Sequence, residues 1–147
     1  MKGECGLTVT IYPENFKAAD PSEKYVYEYF REHLPEDTVC YFHYYTGTRE
    51  FDAAVLLPGR GIVVIEIKGW TSRSFVKVKD NNLIYIGNVK SPVPVSSPLK
   101  QARTYVNNLR KKIALARKLK VPVAAVVCYP YLSTADFEAK ELHTVSE

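Results

Sequence analysis

Three charged residues in the first half of the chain have the types and spacing for metal-dependent chemistry. Asp52 lies in one strand-like run, residues 49–57, and Glu66 and Lys68 lie in the next, residues 62–68. Side chains alternate between the two faces along a strand, so Glu66 and Lys68 point the same way. The second run therefore presents a carboxylate and an ammonium group together.

The loop between the two runs determines which residues face each other. Residues 58–60 (Pro-Gly-Arg) fit a three-residue hairpin loop, which sets Leu57 opposite Gly61. Counting back along the ladder from that pair sets Asp52 opposite Glu66. We therefore expect two carboxylates and one ammonium group on a small patch.

A core strand needs a physical reason to carry these charges, because burying an unpaired carboxylate or ammonium group is costly. A bound cation would offset that cost. Carboxylate oxygens suit a hard cation such as Mg²⁺ or Mn²⁺, with water molecules completing an octahedral shell. The alternative is a structural salt bridge on a solvated face of the sheet.

The composition fits one soluble globular domain: the chain has 147 residues, of which 46% are hydrophobic and 24% charged. Its three cysteines lack Cys-x-x-Cys spacing, which argues against a disulfide framework and against a zinc site. The longest apolar run, residues 121–129, is too short to span a bilayer. We therefore expect a cytoplasmic protein that is not embedded in a membrane.

Basic residues account for the net charge of +4, and many of them lie in residues 98–120, where no acid occurs. Apolar residues recur there every three or four positions, which predicts an amphipathic helix. Off the apolar stripe lies a basic flank, formed by Lys100, Arg103, Arg110, Lys111, Arg117 and Lys118, with Gln101 and Tyr105 at the other border. This flank is either a phosphate-binding surface or an ordinary solvated helix face.

The remaining patterns predict the order of the other elements. Asp20 as the cap, Pro21 in the first helical position and Glu23 three residues after the cap predict a helix that ends near Leu34. Glu23 is either the capping acid or a further carboxylate over the sheet. Local composition predicts a strand at 38–45, a small β-hairpin insertion at 75–79 and 83–86, a stiff proline-rich connection at 91–98 and a buried strand at 121–129.

This order of elements makes an α/β fold that resembles the PD-(D/E)xK nuclease superfamily, and within it the nuclease-related domain (NERD) family. The resemblance rests on Glu23, Glu50-Phe51-Asp52, residues 61–69 (GIVVIEIKG), residues 98–102 (PLKQA) and residues 121–123 (VPV). It implies a restriction-endonuclease-like αβββαβ core with a mixed central sheet flanked by helices. The expected division is an N-terminal arm at 1–19, the core at 20–130, and a C-terminal segment at 131–147 that leads into a further domain.

The resemblance implies a nuclease that hydrolyses DNA phosphodiester bonds with Mg²⁺ or Mn²⁺, in DNA processing, repair or defence. Asp52, Glu66 and the main-chain carbonyl of Ile67 would bind the metal, with Glu23 as a supplementary ligand. Lys68 would orient or deprotonate the attacking water, or hold its negative charge, and Gln101 would position the lysine or the DNA. Contacts with DNA are expected from Lys100, Arg103, Tyr105, Arg110 and Lys111.

The competing class is a binding module that holds DNA without cutting it, as an accessory domain of a larger helicase-like or kinase-like protein. The intact set of Asp52, Glu66 and Lys68 favours the enzyme, and a purely structural domain does not explain these charges. Other conspicuous residues have simpler interpretations: Trp70 as packing, Glu50 as a ligand or a partner of Arg49 or Lys68, and His33, His43 and His143 as structural or surface residues.

Overall fold

The computed structural model describes residues 9–18, 20–46, 49–80, 83–88, 90–117 and 120–139. The strands are β1 (Thr10–Tyr12), β2 (Val39–Thr46), β3 (Arg49–Leu57), β4 (Gly61–Ile67), β5 (Phe75–Asp80), β6 (Leu83–Asn88), β7 (Ser91–Ser96) and β8 (Val123–Cys128). The helices are α1 (Pro21–His33), α2 (Pro98–Arg117) and α3 (Thr134–Ala139), and a 3-10 turn spans Ser72–Ser74. None of the helices in these residues is long and apolar enough to cross a membrane.

A five-stranded mixed sheet in the order β1-β2-β3-β4-β8 forms the centre of the fold. Strands β2, β3 and β4 are antiparallel neighbours, whereas β1 runs parallel to β2 and β8 runs parallel to β4. Parallel neighbours need a crossover connection, and α1 and α2 lie in the two crossovers. The mixed α/β architecture predicted from the sequence is confirmed. The predicted division into arm, core and C-terminal segment stays a prediction, since residues 1–8 and 140–147 lie outside the described residues.

Helix α1 starts as predicted. The Asp20 side chain accepts a hydrogen bond of 2.7 Å from the backbone N–H of Ser22, and Pro21 occupies the first turn, where a missing N–H costs nothing. Val26 and Phe30, one turn apart, pack against one face of the sheet in a cluster with Ile65. Helix α2 packs on the other face, so both faces of the sheet are covered near β4.

The β3–β4 hairpin has the predicted register. Leu57 pairs with Gly61, and the pairs continue to Ala53 opposite Ile65. The backbone N–H of Arg60 donates to the carbonyl of Leu57 at 3.0 Å and closes the loop. The regular ladder ends at Ala53, so the two strands separate at the next position, where Asp52 and Glu66 stand.

The insertion after β4 is larger than the predicted hairpin. Strands β5, β6 and β7 form a second, three-stranded antiparallel sheet. The prediction of a stiff connection at 91–98 was wrong, because residues 91–96 form β7. Pro92 and Pro94 lie on this edge strand, opposite Gly87 and Tyr85. An edge strand accepts proline because the N–H groups that face away from the sheet need no ladder partner.

Gly61 provides a test of how closely β8 approaches the hairpin. Its φ is +136°, and an added Cβ would collide with the carbonyl oxygen of Pro122, which accepts a 2.9 Å hydrogen bond from Ile62. Gly61→Ala should therefore lower the free energy of unfolding by roughly 2–4 kcal/mol, through backbone strain and overpacking. Gly59→Ala is the matched control, because Gly59 has φ +68° and open space around it, and it should cost about 1 kcal/mol. Urea unfolding measures both free energies, and equal decreases in the two variants would contradict the close approach of Pro122 to Gly61.

Candidate active site

Asp52 lies where β3 and β4 separate. Its Oδ2 accepts a hydrogen bond of 2.7 Å from the backbone N–H of Ile67. This bond lies just beyond the last regular pair, Ala53 with Ile65, and it holds the carboxylate beside the end of β4. The position of Asp52 is therefore determined by the main chain of β4.

Glu66 is buried and pairs with Lys68. Only 4% of the residue is exposed, and its Oε1 lies 2.7 Å from Nζ of Lys68. The other carboxylate oxygen, Oε2, is buried and has no hydrogen-bond partner among the described residues. Burying an acceptor without a hydrogen-bond partner is energetically unfavourable. A cation next to Oε2 would remove that cost.

Burial raises the pKa of both carboxyl groups. For Asp52 the loss of hydration is the largest cause, and the Ile67 N–H opposes it. The pKa of Glu66 is also raised mainly by burial, while the Lys68 hydrogen bond lowers it and the negative charge of Asp52 raises it further. The two carboxylates are thus close enough to repel each other, and a cation beside them would favour their charged forms.

The regular alternation of side chains fails beside Asp52. Ala53 packs in the cluster under α1, and alternation would place Phe51 there too, yet Phe51 packs in the cluster under α2. On the neighbouring strand, the β2–β3 pairs pass over His43, which has a φ of +51° and stands at the position opposite Asp52. The alternation of side chains along β3 therefore does not determine where the Asp52 carboxylate lies. Its position is determined by the hydrogen bond from the Ile67 N–H.

Glu23 points from the first turn of α1 towards the sheet. Its Oε2 lies 2.9 Å from Nε2 of His43, and Nδ1 of the same imidazole lies 2.7 Å from Oε1 of Glu50. His43 was interpreted from the sequence as a structural or surface residue, so this bridge was missed. The signal that could have revealed the bridge is the position of His43 opposite Asp52 in the β2–β3 register. His143 lies outside the described residues.

A cleft of about 340 Å³ opens at the ends of the strands. Its lining consists of Asp20, Ser22, Glu23, Asp52, Ile67, Lys68, Gly69 and Trp70. The structure thus brings Asp52, Ile67, Lys68 and Glu23 to one cleft, with Glu66 paired to Lys68 beside it. The ring of Trp70 packs against Tyr129 at a centroid distance of 6.1 Å, which agrees with the packing interpretation.

The donors at this site fit a hard cation. In the described ranges, no group of three or more His, Cys, Asp or Glu side chains is arranged to hold a metal ion. Two carboxylates, Asp52 and Glu66, are available together with the Ile67 carbonyl, and water would have to supply the other positions, as is usual for Mg²⁺. The Glu23 carboxylate is already held by His43, so a role in metal binding would act through water.

Gln101 and Tyr105 stand one turn apart on α2. The Tyr105 ring packs near Phe51, with centroids 6.4 Å apart. Burial raises the pKa of Tyr105, and the negative charges of Glu66 and Asp52 raise it further. The side-chain oxygen of Gln101 is buried, and the part of the chain that the structure describes supplies no partner for it. Tyr105 therefore borders the acidic pair, and Gln101 presents an acceptor one turn before it.

Two residues of the basic flank of α2, Arg103 and Arg110, lie beside β8. Lys100, Arg103, Arg110 and Lys111 are exposed, but Nη2 of Arg110 donates a 2.6 Å hydrogen bond to the carbonyl of Val123. Arg110 thus joins α2 to β8, a structural role that the sequence did not reveal. Lys118, the last lysine of the predicted flank, lies outside the described residues.

A mixed sheet with flanking helices, a buried and a half-buried carboxylate, and a lysine just after β4 together define an α/β protein consistent with a restriction-endonuclease-like core. The family model of the nuclease-related domain, NERD, matches residues 19–130. The chain belongs to this family. No curated protein and no solved structure gives a significant match to the chain.

Asp52→Asn should stabilise the metal-free protein at neutral pH. Asparagine keeps an acceptor for the Ile67 N–H and removes a charge whose burial is unfavourable, as the raised pKa of Asp52 indicates. The expected gain in the free energy of unfolding is about 1 kcal/mol. Urea unfolding in a chelator, compared between wild type and variant, measures it.

The gain in the free energy of unfolding of Asp52→Asn should depend on pH. A carboxyl group with a raised pKa binds its proton more tightly in the folded state, so protonation stabilises the fold below the ordinary pKa of 3.8 and this contribution is lost as pH rises through the folded pKa. The advantage of Asp52→Asn should therefore be full at neutral pH and disappear in acid. Asp37→Asn, at an exposed position between α1 and β2, is the matched control for the Asp-to-Asn change, and a pH-independent gain in Asp52→Asn would contradict the argument.

Proposed function

We propose that this domain is a Mg²⁺- or Mn²⁺-dependent deoxyribonuclease that hydrolyses phosphodiester bonds in DNA processing, repair or defence. The observation that carries the proposal is the buried Oε2 of Glu66, which lacks a hydrogen-bond partner within the described residues, beside Asp52 and Lys68. Membership of a nuclease-related family supports the reaction class.

Asp52, Glu66 and the carbonyl of Ile67 would hold the metal ion. When bound, the ion would supply positive charge to the phosphate oxygens and acidity to the attacking water. Asp52 is anchored through one oxygen by the Ile67 N–H, and Glu66 through one oxygen by Lys68. Each carboxylate is thus oriented by one bond, which favours a preorganised site.

Lys68 is placed to act on the attacking water. Its side chain is 26% exposed, lines the cleft and lies 2.7 Å from Glu66. An ammonium group has three N–H donors, so it can bind Glu66 and still donate to water or a phosphate oxygen in the cleft. The proposed role is to orient that water or to hold its negative charge. Gln101 would help to position the lysine or the DNA.

A DNA-binding accessory domain, as part of a helicase-like or kinase-like protein, is the second candidate function. It is favoured by the exposed Lys100 and Lys111 on α2, because phosphate contacts there do not require the acidic cleft. Arg103 and Tyr105 would add contacts on either side of the helix. This candidate predicts DNA binding without cleavage.

Wild-type protein should cleave supercoiled and linear DNA in Mg²⁺ or Mn²⁺, and a chelator should abolish cleavage. Asp52→Asn should weaken metal binding and abolish cleavage, because it removes a charged ligand. Lys68→Ala should keep metal binding and slow cleavage by about 10²-fold or more, in line with the loss of a positioned acid-base or electrostatic group.

The matched control for Lys68→Ala is Lys24→Ala, which removes an exposed lysine of α1 that lies 3.9 Å from Glu28. It should cleave as wild type does. Equal residual activity in every preparation would indicate a contaminating nuclease and contradict the proposal. Absence of cleavage in wild type, together with retained DNA binding, would support the accessory domain.

Replacing Lys100 and Lys111 with alanine should weaken DNA binding for all sequences alike. The slope of log Kd against log salt concentration should fall by about one unit for each phosphate group that the variant no longer binds. Fluorescence anisotropy at several salt concentrations, in a chelator, measures both effects. Arg110→Ala is unsuitable for this test because it also removes the bond to Val123. Unchanged affinity and slope would place the DNA-binding surface elsewhere.

A further inference from the structure

One imidazole connects three elements around the cleft. His43 of β2 lies between Glu23 of α1 and Glu50 of β3, with its two ring nitrogens 2.9 and 2.7 Å from their carboxylate oxygens. The side chains of Glu23 and Glu50 are only 15% and 33% exposed, so water screens these contacts incompletely. The ring also packs against Phe16, with centroids 5.1 Å apart.

The backbone of His43 is unusual for a strand residue. Its φ of +51° lies in the left-handed region, and the regular β2–β3 pairing passes over it. A non-glycine residue keeps such a conformation only where surrounding contacts require it, and these positions concentrate at functional sites. Here the conformation accompanies a ring that faces α1, at the strand position opposite Asp52.

We propose that His43 is a positioning residue of the active site, which fixes Glu23 at the edge of the cleft and Glu50 beside Asp52. This inference rests on the proposed nuclease function. An imidazole has nitrogens on two sides of a rigid ring, so one residue can contact two carboxylates at once. Without it, Glu23 and Glu50 would lose their common partner and could take other rotamers, and the acids around the metal ligands would no longer keep one arrangement.

The charges of His43 and Glu50 also reach Asp52. A protonated His43 would act to lower the pKa of Asp52, and the negative charge of Glu50 acts to raise it, both secondary to burial. The bridge is therefore close enough to a proposed metal ligand to affect its charge state. Replacing a residue that orients the groups around a metal site typically lowers metal affinity by about 10- to 100-fold.

The contact itself can be tested without metal by a double-mutant cycle between His43→Asn and Glu23→Gln. Asparagine tolerates a left-handed backbone, but its short side chain cannot contact both carboxylates. The unfolding equilibrium constant of the double variant, measured in a chelator, should differ about 5-fold from the product of the single effects. An additive result would overturn the bridge.

The positioning role is tested by Mn²⁺ titration calorimetry and by steady-state cleavage. His43→Asn should weaken Mn²⁺ binding about 10-fold and lower kcat, while KM for DNA stays nearly unchanged. The matched control is His33→Asn, because His33 stacks on Tyr29 at 4.2 Å on α1, away from the cleft lining. It should leave both quantities as in wild type.

The outcomes separate this inference from the proposed function. Coupling in the cycle together with weaker Mn²⁺ binding and lower kcat supports the positioning role. If the cycle shows coupling but Mn²⁺ binding and kcat are unchanged, the bridge is purely structural and the positioning role is overturned. If wild type neither binds Mn²⁺ nor cleaves DNA, the nuclease function fails and the positioning role fails with it, while the metal-free cycle still reports whether the bridge exists.

Discussion

One buried carboxylate, Glu66, and one half-buried carboxylate, Asp52, lie where β3 and β4 separate, and this pair is the constraint on which the rest of the site depends. Glu66 is 4% exposed and Asp52 is half-buried with one oxygen bound to the Ile67 N–H, so both acids are incompletely hydrated. Their mutual repulsion and reduced hydration oppose folding in the absence of a cation. The Lys68 pair and the apolar core around the two strands offset part of this cost.

The fold supplies that core from both faces of the sheet. Helix α1 covers one face with Val26 and Phe30, and α2 covers the other with Val106. Close packing at Gly61 brings Pro122 and the start of β8 against β4, which in turn supports the strand that carries Glu66. The site is therefore built on rigid strands, while α1 contributes an acid through its bond with His43. Rigid support of this kind favours preorganised chemistry.

Local rules predicted a large part of this arrangement. The Pro-Gly-Arg loop determines the pairing of Leu57 with Gly61, and the two-residue period of a strand carries that register to Ala53. The capping residue and the proline place the start of α1, and the apolar repeat places α2. The nuclease-related family was also recognisable from the residues that carry the resemblance, and its family model matches residues 19–130. Strand β7 was missed, because proline content alone does not distinguish an edge strand from a loop.

By itself, the sequence determined the order of the core elements α1, β2, β3, β4, α2 and β8, the hairpin register and the types of the charged residues on β3 and β4, since each depends on neighbours along the chain. Only the tertiary structure decided how the side chains meet. The contacts of His43 with Glu23 and Glu50, the bond of Arg110 to Val123 and the fixing of Asp52 by Ile67 all join residues from different elements. Such contacts depend on how the helices pack on the sheet and on the left-handed backbone of His43 in β2. No periodic pattern along the chain encodes them.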